Sequence, residues 1–358
     1  MRAIETPGHT PEHMCLIVSD RARAEAPWLV FTGDALFVGD VGRPDLFGDE
    51  KAKLLAAELY DTLHNKLARL PDYVEVYPAH GEGSLCGRTM SGKRHSTIGY
   101  EKKFNHAFKP ATKEAFQEAL LKDMPPAPHY FQRSTYVNCQ GPRVLGEPPK
   151  RKEIPPRLAA ELLRGGHVLL DIRTPEAFGG AHVEGAYNVW FSHMISTWAG
   201  WVLPYDRPVM LLLDNEEQWE ETVRQLIRVG FDDIAGFVDG GIESWVAAGL
   251  PVSHLAQLSV QELKDMMAAR RDLMIVDVRT DAEYRSGHIA GAINIHAGQV
   301  NDRYQELDRD KPIALVCRSA HRSSIAGSIL LQHGFERVYN VSGGITAWGN
   351  AGYAVMTR

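Results

Sequence analysis

Short continuous apolar runs alternate with amphipathic stretches through the last two thirds of the chain. Met274–Val278, Ile313–Cys317 and Val338–Val341 read as strands buried on both faces. Ser323–His333 sets Ile325, Ile329 and Leu330 on one side of a helix, and Ile345–Gly349 opens another. Such strands separated by helices predict a parallel sheet covered on both faces, with ligands where strands end and helices begin. In the first third, Met14–Val18, Leu29–Asp34 and Tyr73–Tyr77 read as strands. Between these regions, residues 125–153 are rich in proline and carry the basic run Lys150-Arg151-Lys152, which predicts an extended strap with a solvated charge cluster.

The apolar pattern repeats. Asp171-Ile172-Arg173-Thr174 returns as Asp277-Val278-Arg279-Thr280, and His182-Val183-Glu184-Gly185-Ala186 as His288-Ile289-Ala290-Gly291-Ala292, both at an offset of 106 residues. Gly240-Gly241-Ile242 with Trp245 returns as Gly343-Gly344-Ile345 with Trp348 at an offset of 103. A unit this long is a duplicated domain, not a solenoid repeat. His182 and His288 recur in both copies, which argues for a structural role.

Composition narrows the function classes. The chain has 358 residues, 44% hydrophobic and 23% charged, enough for two or three domains with cores of their own. A net charge of −6 argues against a surface built for nucleic acid or an anionic membrane. No apolar run approaches the ~18 residues a spanning helix needs, and residues 1–7 lack a secretory leader. Four cysteines, at 15, 86, 139 and 317, are too sparse for a disulfide framework and predict a reducing, cytoplasmic setting. Cys15 reads as core and Cys139 as a surface thiol; Cys86 follows the His80 loop and could cap a metal pocket there.

Cys317 stands where the strand–helix geometry places chemistry. The turn Arg318-Ser319-Ala320-His321-Arg322 leads from it into a helix starting near Ser323. Amide N–H groups of such a turn bind anions, and they and the neighbouring cations favour thiolate, the attacking species. A buried structural cysteine is the competing reading.

On these residues, with Glu283-Tyr284, Gly287-His288-Ile289, Asn294 and Gly343-Gly344-Ile345…Trp348, residues 255–358 resemble a rhodanese domain. The resemblance implies that Cys317 carries a sulfane sulfur, taken from thiosulfate or a low-molecular-weight persulfide such as glutathione persulfide, to a thiol or other nucleophile. It implies anion binding by the loop Arg318, Ser319, Ala320, His321, Arg322 and Ser323, with no cofactor. Dual-specificity phosphatases share the logic of a cysteine, a loop and an arginine, but with one more residue between cysteine and arginine. Residues 154–252 show the same frame without the thiol. Leu213, or Asp214 with one residue of slippage, takes the place of Cys317, and the loop Asp214-Asn215-Glu216-Glu217-Gln218 carries carboxylates and no cation. This copy is expected to be catalytically silent.

The first third has a different candidate site. His9, Asp34 and His80 fall at predicted strand ends, each beside a glycine, and imidazole–carboxylate–imidazole suits zinc or iron. The arrangement is similar to the second half of the metallo-β-lactamase fold. Gly33-Asp34-Ala35-Leu36-Phe37…Gly42-Arg43-Pro44-Asp45 and His80-Gly81-Glu82-Gly83-Ser84-Leu85-Cys86-Gly87 resemble its persulfide dioxygenase branch. The resemblance implies His9 and Asp34 as ligands of one Fe(II), with Zn the alternative, His80 as the extra histidine of two-metal relatives, and Arg43 as a residue placing a thiol cosubstrate. The His-x-His-x-Asp-His motif that supplies a further ligand is absent, so the set is incomplete and one apolar sheet face should be left exposed. Three arrangements fit that gap: Met1 is internal to a longer protein, the gene retains only the sulfurtransferase, or two chains pair their half-domains as a homodimer. The first is the expectation.

The expected fold class is therefore α/β: the C-terminal half of a metallo-β-lactamase αββα sandwich over residues 1–124, a linker over 125–153, a silent rhodanese-like domain over 154–252 and an active one over 255–358. The expected function is sulfur transfer through a Cys317 persulfide. The alternatives are an Fe(II) persulfide dioxygenase–rhodanese fusion and a non-catalytic binding module, with small sulfur donors and thiols as partners and neither nucleic acid nor membrane.

Overall fold

The computed structural model describes all residues except Thr89, Asp123, Pro125, Arg271 and Arg358, and it does not describe the side chains of Asp49 and His129. Pro125, the first residue of the expected strap, and Arg358, the last of the second repeat, thus lie outside the described residues. The chain forms two compact units, Met1–Ala127 and Pro128–Arg358.

In the first unit five strands lie in sequence order: Arg2–Glu5, Met14–Val18, Leu29–Gly33, Glu75–Pro78 and Ser96–Thr97. Leu29–Gly33 and Glu75–Pro78 pair in parallel, and the other neighbours are antiparallel. The connection between the parallel pair carries the helix Asp49–Asp61, whose Leu55 and Leu59 are buried with Val30, Val76 and Phe116. Alternation puts Cys15, Ile17 and Val30 in that core, while Met14, Leu16 and Phe31 project from the other face at 56%, 39% and 45% exposure. The expected exposed apolar face is therefore present.

The second unit holds the two repeats, each around a five-stranded sheet. The spatial order in the first is Glu153–Ile154, Ile234–Val238, Val209–Leu212, Val168–Asp171, Tyr187–Asn188. In the second it is Ala256–Leu258, Val338–Val341, Ile313–Val316, Met274–Asp277, Ile293–Asn294. Every neighbouring pair is parallel. Helices pack on the sheets, so the central strands are buried on both faces.

The repeated motifs are local ties that hold strand ends. Asp171 and Asp277 each take a buried two-pronged ion pair from Arg173 and Arg279, whose remaining N–H groups donate to the carbonyls of Ala181 and Gly287. Phe178 stacks on His182 and Tyr284 on His288, and each imidazole Nδ1 bonds the carbonyl of its ring partner. Trp245 and Trp348 donate to the carbonyls of Pro251 and Ala354. Both histidines are built into the frame in the same way.

One expectation is corrected. The strap is not extended throughout: His129–Gln140 is a helix. The prolines cluster before and after it, with Pro128 at its N-cap, so nothing breaks the intervening twelve residues. Tyr130 fits against Gly200, and the Arg133 guanidinium lies 4.3 Å from the Tyr205 ring centroid.

Candidate functional site

The strand Ile313–Val316 ends one residue before Cys317, and the following helix begins at His321. The turn between them requires a left-handed backbone at Ala320 (φ 84°), the one non-glycine residue with positive φ among the described residues. That conformation costs about 1 kcal/mol or more for a residue with a Cβ. It turns the Ala320 N–H onto the Cys317 Sγ at 3.1 Å, while the Ser323 hydroxyl donates to the same sulfur at 3.3 Å. Cys317 is 1% exposed and Ser323 fully buried. The sulfur therefore lies deep but faces two donors.

The backbone of Cys317 is fixed from below. Its carbonyl accepts from Ile345 N–H at 2.8 Å. A Cβ at Gly344 (φ 53°) would run into that carbonyl oxygen, which explains the Gly-Gly pair of the repeat.

The cations of the loop divide. Arg318 is exposed and makes no ion pair among the described residues. Arg322, expected to bind the donor anion, instead holds Glu283 in a two-pronged pair at 2.6 and 2.7 Å. Glu283 also caps its own helix by accepting from Thr280. Burial pushes the Glu283 carboxyl up, but Arg322 and Thr280 outweigh it and bring it down to about 2. Arg322 is thus a strut between loop and frame. Glu283 lies 39 residues away in sequence, and Ala177 stands at its place in the first repeat, so the repeat did not mark it.

The first repeat reaches this loop. Trp190 stacks on His321 at 4.3 Å between ring centroids, and Trp198 and Trp201 flank His296. Asn188 accepts from the Ser324 hydroxyl at 2.5 Å, and its N–H donates to Ser328 at 3.1 Å, bolting its strand to the helix that follows Cys317. None of these contacts was visible in sequence.

Strand register settles which residue of the first repeat matches Cys317. Asp277 pairs Val316 and Asp171 pairs Leu212, so Leu213 occupies the place of Cys317. The neighbouring amides of Asp214 and Asn215 donate to the Gln218 side-chain oxygen, which occupies this anion cradle from within.

In the first unit His9, Asp34 and His80 come together. His9 Nε2 lies 3.2 Å from Asp34 Oδ2, and His80 Nδ1 lies 2.6 Å from Asp34 Oδ1. His80 is drawn up to about 10 by Asp34 and then Cys86. Burial opposes ionisation of Asp34, but the two histidines hold its carboxyl well below the usual range. Cys86 joins the cluster: one donor atom from each of Asp34, His80 and Cys86 lies within 4.8 Å of the others. His13, missed in sequence despite its His-x-x-x-His spacing from His9, accepts the Asp34 N–H through Nε2 at 3.0 Å. Arg43 is buried, with its guanidinium on Asp45 at 2.7 Å and on the Leu85 carbonyl at 3.2 Å; it builds the pocket wall.

The donors fit a metal. His9 Nδ1 is 2.8 Å from the Arg43 carbonyl, which only accepts, so Nδ1 carries the proton. In the neutral ring the Nε2 lone pair then faces a carboxylate oxygen. Two acceptors at this separation require a cation or a proton between them, the usual arrangement of a metal-bound histidine and its backbone partner.

Comparison with known proteins finds two kinds of domain in the chain. A rhodanese-like domain is recognised at residues 155–248 and again at 259–351, together more than half of the chain. A sulfurtransferase of Allochromatium vinosum is 33% identical over 100 residues, 28% of this chain and 94% of that protein. The thiosulfate sulfurtransferase GlpE of Shewanella oneidensis is 34% identical over 100 residues, 28% of this chain and 98% of that protein. The crystal structure of a metallo-beta-lactamase from Staphylococcus aureus superposes with a TM-score of 0.58 at 32% identity, covering 66% of this chain and 65% of that one. The chain thus spans just under two thirds of that protein's length. Among the described residues no helix is long and apolar enough to cross a membrane. These relatives support sulfurtransferase activity, the α/β architecture joins a metallo-beta-lactamase-like region to a repeated parallel-sheet domain, and the chain belongs to the rhodanese-like domain family.

Proposed function

We propose that the chain moves sulfane sulfur through a persulfide on Cys317. The Cys317 thiolate attacks the outer sulfur of thiosulfate or of a small persulfide. The donor's S–S bond breaks, and sulfite or a thiolate departs with the electron pair, leaving Cys317–S–S⁻. A thiol or other nucleophile then attacks the terminal sulfur, the Cys317 Sγ–S bond breaks, and the thiolate returns. No external oxidant or reductant is needed.

What carries this reading is the pair of donors on one sulfur, Ala320 N–H and Ser323 O–H, at the end of a buried parallel strand. Both stabilise negative charge there, and neither would be needed by a packing cysteine. Exposed Arg318, which makes no ion pair among the described residues, supplies positive charge for an anionic donor, while Arg322 keeps the loop in place. Four free cysteines suit a reducing, cytoplasmic location. The test is thiosulfate-to-cyanide sulfur transfer by Cys317→Ser, with folding followed by circular dichroism. Complete loss with an unchanged spectrum is expected; retained activity overturns the proposal.

The cluster in the first unit favours a second activity beside the first. His9 and Asp34, with His80 beside them, would supply part of the ligand set of Fe(II), or zinc, and iron would supply the oxygen activation that converts a persulfide to sulfite. This chain's own contribution is orientation. The Arg43 carbonyl fixes the His9 tautomer, and His13 holds the Asp34 backbone. Sulfite and persulfide are also the leaving group and donor of the Cys317 reaction, so the two chemistries share their small molecules.

A further inference from the structure

We propose that Cys86 is a thiolate ligand of the ion held by His9, Asp34 and His80, an inference that rests on the metal reading of that cluster. Its thiol is half-buried and within 4.8 Å of donor atoms of both Asp34 and His80. Proximity alone would carry little, because a flexible loop can bring any thiol near a histidine. The loop from His80 to Cys86 is instead tied down at its far end by one residue. Arg43 N–H donates to the Cys86 carbonyl at 2.9 Å, and the Arg43 guanidinium donates to the Leu85 carbonyl at 3.2 Å. Cys86 N–H donates to Ser84 Oγ at 3.2 Å.

Arg43 itself cannot shift freely. It is 1% exposed and clamped by Asp45, and its own carbonyl bonds His9 Nδ1 at 2.8 Å. One buried residue therefore sets the positions of His9 and Cys86 together. Next to Cys86, a Cβ at Gly87 would sit 3.0 Å from Asp40 Oδ2 and 3.2 Å from Phe37, so the chain is closely packed there. This is the support expected for a ligand, where the outer contacts orient the donor before the ion arrives.

Binding exchanges a proton for the ion: the Cys86 S–H bond breaks, the sulfur's electron pair goes to the divalent cation, and one proton is released to solvent. A set of two imidazoles, a carboxylate and a thiolate selects thiophilic ions such as zinc, ferrous iron or cobalt over magnesium, calcium or manganese.

The test is titration of the metal-free chain with Co(II), read in the near ultraviolet for sulfur-to-cobalt charge transfer and in the visible for cobalt in the site. The charge-transfer band is expected in the wild-type chain and in Cys317→Ser. In Cys86→Ser it should vanish while visible cobalt bands persist and affinity falls about tenfold or more. Circular dichroism confirms that the variant folds. Cobalt bound by the wild type without charge transfer, or a band that survives in Cys86→Ser, overturns the Cys86 assignment and leaves the metal reading standing. Failure of the wild type to bind cobalt at all overturns the metal reading and this inference with it.

Discussion

Ser323→Ala removes one of the two donors on the Cys317 sulfur and changes little else. Ser323 is fully buried in the first turn of the helix His321–Gln332, and its hydroxyl lies 3.3 Å from Sγ. The lost volume is one oxygen atom, and alanine is the better helix former, so the fold should lose less than about 1 kcal/mol. The effect on chemistry depends on the charge of the sulfur. A hydroxyl donating to a neutral thiol contributes about 0.5–1 kcal/mol, whereas a hydrogen bond to an anion contributes about 1.5–3 kcal/mol. At about 1.4 kcal/mol per tenfold, the anionic case predicts a loss of roughly 10–100-fold in kcat/KM for sulfur transfer. Thiocyanate formation from thiosulfate and cyanide measures this directly, and alkylation of Cys317 by iodoacetamide should slow in parallel. A variant with wild-type kcat/KM and wild-type alkylation would refute the argument that this donor works on a charged sulfur.

Two further outcomes follow from the same geometry. Leu213→Cys in a Cys317→Ser background puts a thiol at the register position of the nucleophile, yet the Asp214 and Asn215 amides already bond Gln218. Sulfur transfer should stay at background, and recovered thiocyanate formation would contradict the silent reading. Stability should also fall below neutral pH. Burial lowers His182 from 6.5 to about 4, and burial aided by Arg322 does the same to His296. A depressed histidine contributes fully above its unfolded value and loses that contribution as the pH drops toward its folded value. At about 1.4 kcal/mol per unit, His182 alone withdraws on the order of 3 kcal/mol between pH 6.5 and 4. Urea denaturation midpoints at pH 7 and pH 5 check this, and equal midpoints would count against it.

The duplicated frame was legible because its signature residues bond within a few positions of each other. Asp277 meets Arg279, Tyr284 meets His288, and Trp348 meets the carbonyl of Ala354. Ties that short leave a pattern in sequence. Cys317 was legible for a related reason, since the end of an apolar strand locates it. Long ties left no such trace. Arg322 carried a reading as an anion ligand because its partner Glu283 lies on another helix, and Arg43 carried one as a cosubstrate contact because burial and Asp45 were not visible. The helix His129–Gln140 was hidden by composition: prolines at its two ends dominated the window, although none falls inside. The contribution of the first repeat through Trp190 and Asn188 depends on how two domains pack, which periodicity within either one cannot reveal.

The most direct test is mass spectrometry of the intact chain and its Cys317 peptide after incubation with thiosulfate and removal of excess donor. The account predicts the mass of one added sulfur atom on Cys317, discharged on addition of cyanide and absent from Cys317→Ser. An unmodified Cys317 peptide, or sulfur carried only on Cys15, Cys86 or Cys139, would contradict it.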